Sequence, residues 1–429
     1  MAIAAVQIPI DARRLRKLQA VGIFCGFAAG AWLGGAEAPV KMVNPEVSPI
    51  TVSLIMVCGV FLARWSVPAF IRGTSNVRSD VRQAPHLVIW AVLAGCMWAV
   101  ANTMTIYAIR NVGLSIAFPL WNANSLLGIF WGFLLFNELR NAGWRRWSGV
   151  LGGAAVMFAG AALLAVASST QTASGKATLG VMAALGAGLL WGTMYIPYRK
   201  AYLTGMNPLS FVTFFTVGEL VTMSVLAVSY VGARPLWHEL LSARAVLFWL
   251  MLGGFVWVIG DLFQQYAAKY VGISRGIPLS NTNQLWGLLW GILVFRELHG
   301  ESHRVYAQVI GGSVLMALGA VAIALSSATK QEHSRWQDAA EREGKRYGVE
   351  DAYVRAGLEG RDVEAGPSRR TVTDWVLMGG TTAVFVALAA MARLPRVDMH
   401  LGWAAVVTAA MLVLLASCAI ALWRTTRFR

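Results

Sequence analysis

Apolar residues in this chain come in runs of about 20, and a run of that length crosses a roughly 30 Å hydrocarbon core as an α-helix. Twelve such runs can be marked off. The first four lie near 18–38, 50–68, 87–109 and 114–136, and a fifth ends near 167. After a short polar stretch they resume near 179–198, 208–231, 246–270, 273–295 and 306–326. Two more follow at 375–392 and 401–423. The pattern predicts an all-α polytopic membrane protein.

One stretch is written twice. Residues 113–139, GLSIAFPLWNANSLLGIFWGFLLFNEL, are echoed by residues 272–298, GISRGIPLSNTNQLWGLLWGILVFREL. Pro119 and Pro278, Asn122 and Asn281, Asn124 and Asn283, Gly128 and Gly287, Trp131 and Trp290, and Glu138 and Glu297 all pair at a constant offset of 159 (278 − 119). Trp32 with Trp191 and Lys41 with Lys200 extend the register to the ends of spans 1 and 6. A duplicated unit of this kind is one structural module used twice. Each copy holds five spans, an odd number, so the second enters the membrane with opposite orientation. The pattern predicts a ten-helix bundle of two inverted five-helix repeats, plus two extra C-terminal transmembrane helices.

Composition agrees: 57% of residues are hydrophobic, 13% are charged, and the mean hydropathy is +0.58. The net charge of +15 does not call for a nucleic acid, because the basic residues lie in short loops where positive-inside orientation accounts for them. Loops assigned inside hold about twice as many Lys and Arg as those outside, including a loop after span 2 with Arg64, Arg72, Arg78 and Arg82. Both termini are expected in the cytoplasm and the protein in the cell (inner) membrane, with the first helix retained. Cys25, Cys58, Cys96 and Cys418 fall in or beside apolar spans without ligand spacing, so neither disulfide nor metal is expected. No nucleophile motif, metal cluster or phosphate loop suggests an enzyme, and nothing calls for a cofactor.

These boundaries divide the chain into a cytoplasmic N-terminus (1–17), a first five-helix repeat (18–167), a linker (168–178), a second five-helix repeat (179–327), a charged cytoplasmic linker (328–374), a two-helix membrane extension (375–423) and a cytoplasmic tail (424–429). The charged linker reads as solvated and partly helical, with no apolar face wide enough for a core.

The VGLS and PL of Val112–Ser115 and Pro119–Leu120, their echo VGIS and PL at Val271–Ser274 and Pro278–Leu279, and the F-x-E of Phe136/Glu138 and Phe295/Glu297 resemble the glucose/ribose porter group of the drug/metabolite transporter superfamily. That group includes glucose uptake proteins and is similar to the L-rhamnose/proton symporter. The resemblance covers roughly 18–327 and excludes the tail. It implies ten helices in two inverted halves and uptake of a monosaccharide driven by a proton or sodium gradient. Where the group often has Gly-rich segments after PL, this chain has Trp121, Asn122 and Asn124, then Asn281, Asn283 and Gln284.

Polar residues within a membrane are costly, which makes each a functional candidate. Asp261 stands midway along span 8 with Trp257, Gln264 and Gln265 on its helical face, and its repeat mate is Asn102, below Trp98. A carboxylate there suits a proton carrier; the structural alternative is an Asp261 satisfied by Gln264, Tyr266 or a helix end. A sugar site needs amides and carboxylates around an aromatic platform. Trp98, Asn102, Asn122, Trp257, Asp261, Gln264, Gln265, Asn281 and Gln284 supply that kit. Any one of the 18 tryptophans is more often an interfacial anchor than a sugar contact. Glu219 has no partner near it in sequence and is a second coupling candidate. Pro119 and Pro278 are expected to break or kink their helices and shape the cavity. The glycines of the repeated stretch suggest helix packing, and Glu138 and Glu297 suggest anchors at the membrane rim.

The expectation is a proton-coupled secondary transporter for a small polar solute, foremost a monosaccharide, working by alternating access with lipid, solute and a proton or sodium ion as partners, and with a homo-oligomer open. The rivals are a metabolite or drug exporter and a non-transporting membrane sensor or assembly protein.

Overall fold

The computed structural model describes residues 12–36, 38, 47–112, 120–122, 124–140, 143–168, 177–296, 300, 302–326, 330–360, 370–393 and 399–428. Among these residues every regular element is helical. In order they are α1 (Ala12–Ala36), α2 (Pro49–Ile71), α3 (Thr74–Gln83), α4 (His86–Val112), α5 (Asn124–Phe136), α6 (Trp144–Ser168), α7 (Ala177–Leu203), α8 (Pro208–Tyr230) and α9 (Ala233–Ser242). Then follow α10 (Leu247–Val271), α11 (Ile273–Ser280), α12 (Asn283–Leu289), α13 (His303–Leu325), α14 (Lys330–Tyr347), α15 (Asp351–Leu358), α16 (Val372–Met391) and α17 (Leu401–Thr426). Ten helices among the described residues are long and apolar enough to cross a membrane: α1, α2, α4, α6, α7, α8, α10, α13, α16 and α17. The chain is a multi-pass membrane protein.

The expected spans 4 and 9 are not continuous spanning helices in the described residues. Residues 113–119, with Pro119, lie outside them, and the rest of span 4 is the short α5. Span 9 is broken into α11, a turn at Asn281 and Thr282, α12 and a π-helical turn over Trp290–Val294. The cause is local. Pro278 stands inside α11, and at the break the hydroxyls of Ser280 and Thr282 donate to the carbonyls of Ile277 (2.8 Å) and Leu279 (2.9 Å), competing with the backbone there.

Helix boundaries recur at the offset of the sequence echo. α2 and α8 begin at Pro49 and Pro208, and α3 and α9 at Thr74 and Ala233; each pair is 159 apart. Ser48 accepts from the Thr51 N–H at the start of α2, and Asn207 from the Leu209 N–H at the start of α8. Each is a side-chain N-cap ahead of a proline at the first helical position. Gly73 and Gly232, at φ 84° and 87°, turn the chain into α3 and α9, two short helices where loops are expected.

Packing follows the same register. α1 lies along α10 as α7 lies along α4; α2 crosses α10 as α8 crosses α4; α6 pairs with α13, and α2 with α8. The closest crossings use glycine. Gly59 faces the Met251 carbonyl and Gly254 the Met56 carbonyl, while Gly218 faces the Val92 carbonyl and Gly95 the Phe215 carbonyl. A side chain at any of the four would collide with backbone of the facing helix. Within the echoed stretch, Gly132 is closely packed, since a Cβ there would collide with the side chains of Ser274 and Glu138, whereas a Cβ on Gly287 would meet nothing within 4 Å.

The charged linker differs from its expected solvated state. Trp336, Ala340, Tyr353 and Val354 are buried in the largest core cluster with Tyr198 and Tyr202 of α7. Trp336, Ala340 and Gly344 recur every fourth residue on α14, a stripe too narrow to signal burial by itself. Asp374 completes a capping box with Thr371 at the start of α16 and accepts from the Thr74 N–H and hydroxyl at 2.7 Å. α16 lies against α2, and α17 against α1, where the Cys25 and Cys418 sulfurs are 3.5 Å apart.

Candidate functional site

A cavity of about 50 Å³ opens where α4, α5, α7, α10 and the break between α11 and α12 converge. Its aromatic wall is Trp98, Trp121, Trp191, Tyr195 and Trp257, and its polar wall is Asn122, Asn124, Gln264, Asn281 and Asn283. Two contacts join residues 159 apart. The Trp98 and Trp257 rings meet edge-to-face at 4.8 Å between centroids, an arrangement the ring quadrupoles favour. Asn281 Nδ2 donates to the Asn122 carbonyl (3.3 Å), to Asn124 Oδ1 (3.2 Å) and to Ser125 Oγ (2.5 Å). Gln264 Nε2 donates to Ser280 Oγ (2.6 Å) and Tyr195 Oη (3.3 Å). Amide carbonyls and hydroxyls around flat rings bind neutral polyols: the rings cover C–H faces and the polar atoms meet hydroxyls.

Behind Trp257 lies a buried cluster of charge. Arg64 Nη2 on α2 is 3.0 Å from Asp261 Oδ2 on α10 and 3.4 Å from Glu219 Oε1 on α8, and all three side chains are 0% exposed. Gln265 Nε2 donates to Asp261 Oδ2 at 2.5 Å, and the Tyr202 hydroxyl bonds to Gln265 Oε1. The guanidinium sits over the Phe215 ring at 4.0 Å and over the Trp257 ring at 5.4 Å. Trp257 thus has the cavity on one side and the ion cluster on the other.

A neutral counterpart stands at the positions 159 away. The positions 159 from Arg64 and Asp261 are Met223 and Asn102. They are joined through Ser53, which accepts from Asn102 Nδ2 at 2.6 Å and donates to Met223 Sδ at 3.3 Å.

Of the residues singled out from sequence, Trp98, Asn122, Trp257, Gln264 and Asn281 line the cavity. Gln284 and Pro278 line a neighbouring one with Ser125. Asp261, Gln265 and Glu219 belong to the ion cluster and are not in the cavity wall. Asn102 faces Ser53 instead of the cavity. Pro119 lies outside the described residues.

Arg64 is a correction: expected in a loop, it stands inside α2, fully buried, and is the partner that neither carboxylate has nearby in sequence. Glu138, expected as an anchor at the membrane rim, lies two residues beyond the end of α5, is 0% exposed and pairs with Arg199 at 2.9 Å. Glu297 lies outside the described residues. Trp121 and Trp191 were not among the expected contacts; their edge-to-face pairing at 5.9 Å places both in the wall. The signal for Trp191 was present in its repeat partner Trp32.

The fold and cavity define a multi-pass membrane protein with an internal polar, aromatic compartment. The model of a family described as "Sugar transport protein" matches residues 182–346. That match reaches into α14, past the limit near 327 expected of the resemblance. The "Putative sugar uptake protein" of Listeria innocua serovar 6a is 22% identical over 238 residues, 54% of this chain and 77% of its own length. Its counterpart in Listeria monocytogenes serovar 1/2a is 21% identical over the same shares. A "Putative sugar uptake protein" of Streptococcus pyogenes serotype M1 is 50% identical over 52 residues, 11% of this chain and 18% of the relative. One solved structure overlays 70% of this chain and 98% of its own at 14% identity and a TM-score of 0.42, too slight a likeness to bear on the fold. The matches support a sugar transporter of the glucose/ribose porter type that the paired motifs resemble, and they point to a transporter, not an enzyme.

Proposed function

We propose that the chain carries a monosaccharide across the cell membrane by alternating access between two inverted five-helix halves, coupled to a proton at the Arg64–Glu219–Asp261 cluster. The observation that carries the reading is the cavity itself: its walls are built by repeat mates meeting each other, Trp98 with Trp257 and Asn122 with Asn281. A site at the junction of inverted repeats is one that rocking of the halves can expose to either side in turn. The swapped packing of α1 and α2 on α10, and of α7 and α8 on α4, supports that symmetry. In this reading α16 and α17 are additions outside the repeat, and both termini are cytoplasmic.

The coupling rests on charge balance. One guanidinium faces two carboxylates, so the cluster carries one net negative charge when all three groups are ionised and none when one proton is bound. Buried net charge opposes movement through a low-dielectric interior, and a proton removes it. Trp257, shared between cavity and cluster, ties solute binding to that step.

Purified protein in liposomes, given labelled monosaccharides with and without an inward proton gradient, tests both parts. The expected result is accumulation with the gradient, lost in Asp261→Asn while sugar exchange persists. A variant that still concentrates sugar normally removes Asp261 from coupling, and no flux for any monosaccharide sinks the carrier.

A further inference from the structure

The cavity ends, on the α14 side, in a buried knot that the transport reading has not used. Glu138, just beyond α5, reaches into the other half. Its carboxylate accepts from the N–H groups of Ile273 (3.2 Å) and Ser274 (2.9 Å) and from the Ser274 hydroxyl (2.5 Å) at the start of α11. Arg199 Nε on α7 lies 2.9 Å from Glu138 Oε1, and Arg199 Nη1 donates to the carbonyls of Ala268 (3.2 Å) and Lys269 (3.1 Å) at the end of α10. The guanidinium is roofed by the Trp336 ring of α14 at 4.1 Å. Glu138, Arg199 and Trp336 are 0%, 1% and 3% exposed.

Helix geometry places this knot directly beyond the cavity. Trp191 and Tyr195 line the cavity, and Arg199 continues their row at the next i+4 step of α7, about 6 Å further along the axis. On α10 the bonded carbonyl of Ala268 lies one turn past Gln264. A solute leaving toward α14 meets ties that join α5, α7, α10, α11 and α14.

We propose that Glu138 and Arg199 form the gate that shuts this end of the carrier, and that Trp336 is its latch, supplied by the segment after the second repeat. The proposal rests on the alternating-access reading. Further bonds seat the latch: Lys200 Nζ is 3.6 Å from Glu343, the Tyr353 hydroxyl donates to Asp80 at 2.7 Å, and Arg14 donates to the Glu359 carbonyl at 2.8 Å. The latch therefore touches α1, α3 and α7 together, and opening the gate requires this segment to lift or tilt with one of them.

The test needs no sugar. Met194→Cys places a thiol in the cavity wall, and the full-length protein in oriented vesicles is exposed to a membrane-impermeant thiol reagent from the α14 side, a side identified by protease cutting within the linker. Labelling above that of the parent, which keeps Met194, reports opening. Added to this background, Glu138→Gln and Trp336→Ala are each expected to speed labelling about two- to thirtyfold, the range that loss of a buried cation–π or charged contact produces in a two-state population. Trp336→Phe, which keeps a ring over the guanidinium, should stay at the rate of Met194→Cys alone. Unchanged labelling in both disrupted variants, eluting as folded protein, overturns the gate. If Glu138→Gln does not fold, the Trp336 pair decides alone. A gate that opens as expected in a protein with no sugar flux refutes the carrier and not the gate.

Discussion

Arg64 and Asp261 meet at 3.0 Å with neither side chain exposed, on helices whose contact residues are 197 positions apart (261 − 64). Glu219 reaches the same guanidinium at 3.4 Å, so the three charges are unequal in number. Removing one partner of a buried pair leaves an uncompensated charge and costs about 3–5 kcal/mol. Here the cost depends on which partner goes. Arg64→Met strands two carboxylates together, whereas Asp261→Asn leaves Arg64 balanced by Glu219 and keeps a polar group for Gln265, at about 1–2 kcal/mol. Thermal unfolding in detergent should show a much larger fall for Arg64→Met, and most of it recovered in Arg64→Met/Asp261→Asn/Glu219→Gln. An equal or larger fall for Asp261→Asn would mean that Arg64 is not the organising charge.

The glycine crossings make a prediction about architecture that is independent of transport. A Cβ at Gly218 would strike the Val92 carbonyl, and one at Gly59, its mate, the Met251 carbonyl. Backbone cannot step aside as a flexible side chain can, so Gly218→Ala and Gly59→Ala should each cost about 1–3 kcal/mol. Gly152 on α6 has no neighbour within 4 Å of its would-be Cβ, and Gly152→Ala should stay within about 0.5 kcal/mol of the parent. Melting temperatures of the three variants decide it. Similar values for all three would deny the close α2–α10 and α8–α4 crossings.

Much of this was legible in the residues, and the parts that were not share a cause. Apolar runs carry span positions, and a constant offset carries the repeat, because both are local or periodic signals. The caps Ser48–Pro49 and Asn207–Pro208 and the glycines 73 and 232 were equally legible at that offset, and they mark the starts of α2, α8, α3 and α9. Arg64 was not. It lies late in an apolar run near Arg72, Arg78 and Arg82, where charge is expected at the membrane surface, and only the partners on α8 and α10 reveal that it points inward. Trp336 is similar: a tryptophan in a charged helix signals nothing until Arg199 is found beneath it. Of the residues chosen for aromatic or amide character, Trp98, Trp257, Asn122, Gln264 and Asn281 fall in the wall, while Gln265 bonds to Asp261 and Gln284 lines the neighbouring cavity. Asn102 is not in the wall either, because Ser53 satisfies its amide.

If the cavity binds sugar, Trp257 should matter more than tryptophans elsewhere. Its ring lines the cavity and packs edge-on against Trp98, so Trp257→Ala removes a flat wall against which a sugar ring can lie. Affinity measured by equilibrium binding of labelled monosaccharide should weaken by about tenfold, equivalent to about 1.4 kcal/mol. Trp144, 83% exposed at the start of α6, provides the control, and Trp144→Ala should bind normally. Equal losses in the two variants would point to a general effect of removing tryptophan and away from this cavity.

The placement of α17 can be checked with residues the chain already has. Cys25 on α1 and Cys418 on α17 are both fully buried, with their sulfurs 3.5 Å apart, and Met411 of α17 lies against Gly35 of α1. Both thiols are free. A disulfide needs the sulfurs to close from 3.5 Å to about 2.05 Å. Copper–phenanthroline, which enters bilayers, would take the two electrons as the two thiols lose their protons and the S–S bond forms. With a protease site inserted between 361 and 369, the oxidised and cleaved protein should run as one band on a non-reducing gel and as two after reduction. Cys25→Ser should give two bands in either case. Because α17 packs along α1 over much of its length, the two helices are expected to move as one body, so the cross-linked protein should retain its uptake. Two bands from the oxidised parent would show that α17 does not dock on α1. A cross-link that stops uptake would show instead that the two helices slide past each other during transport.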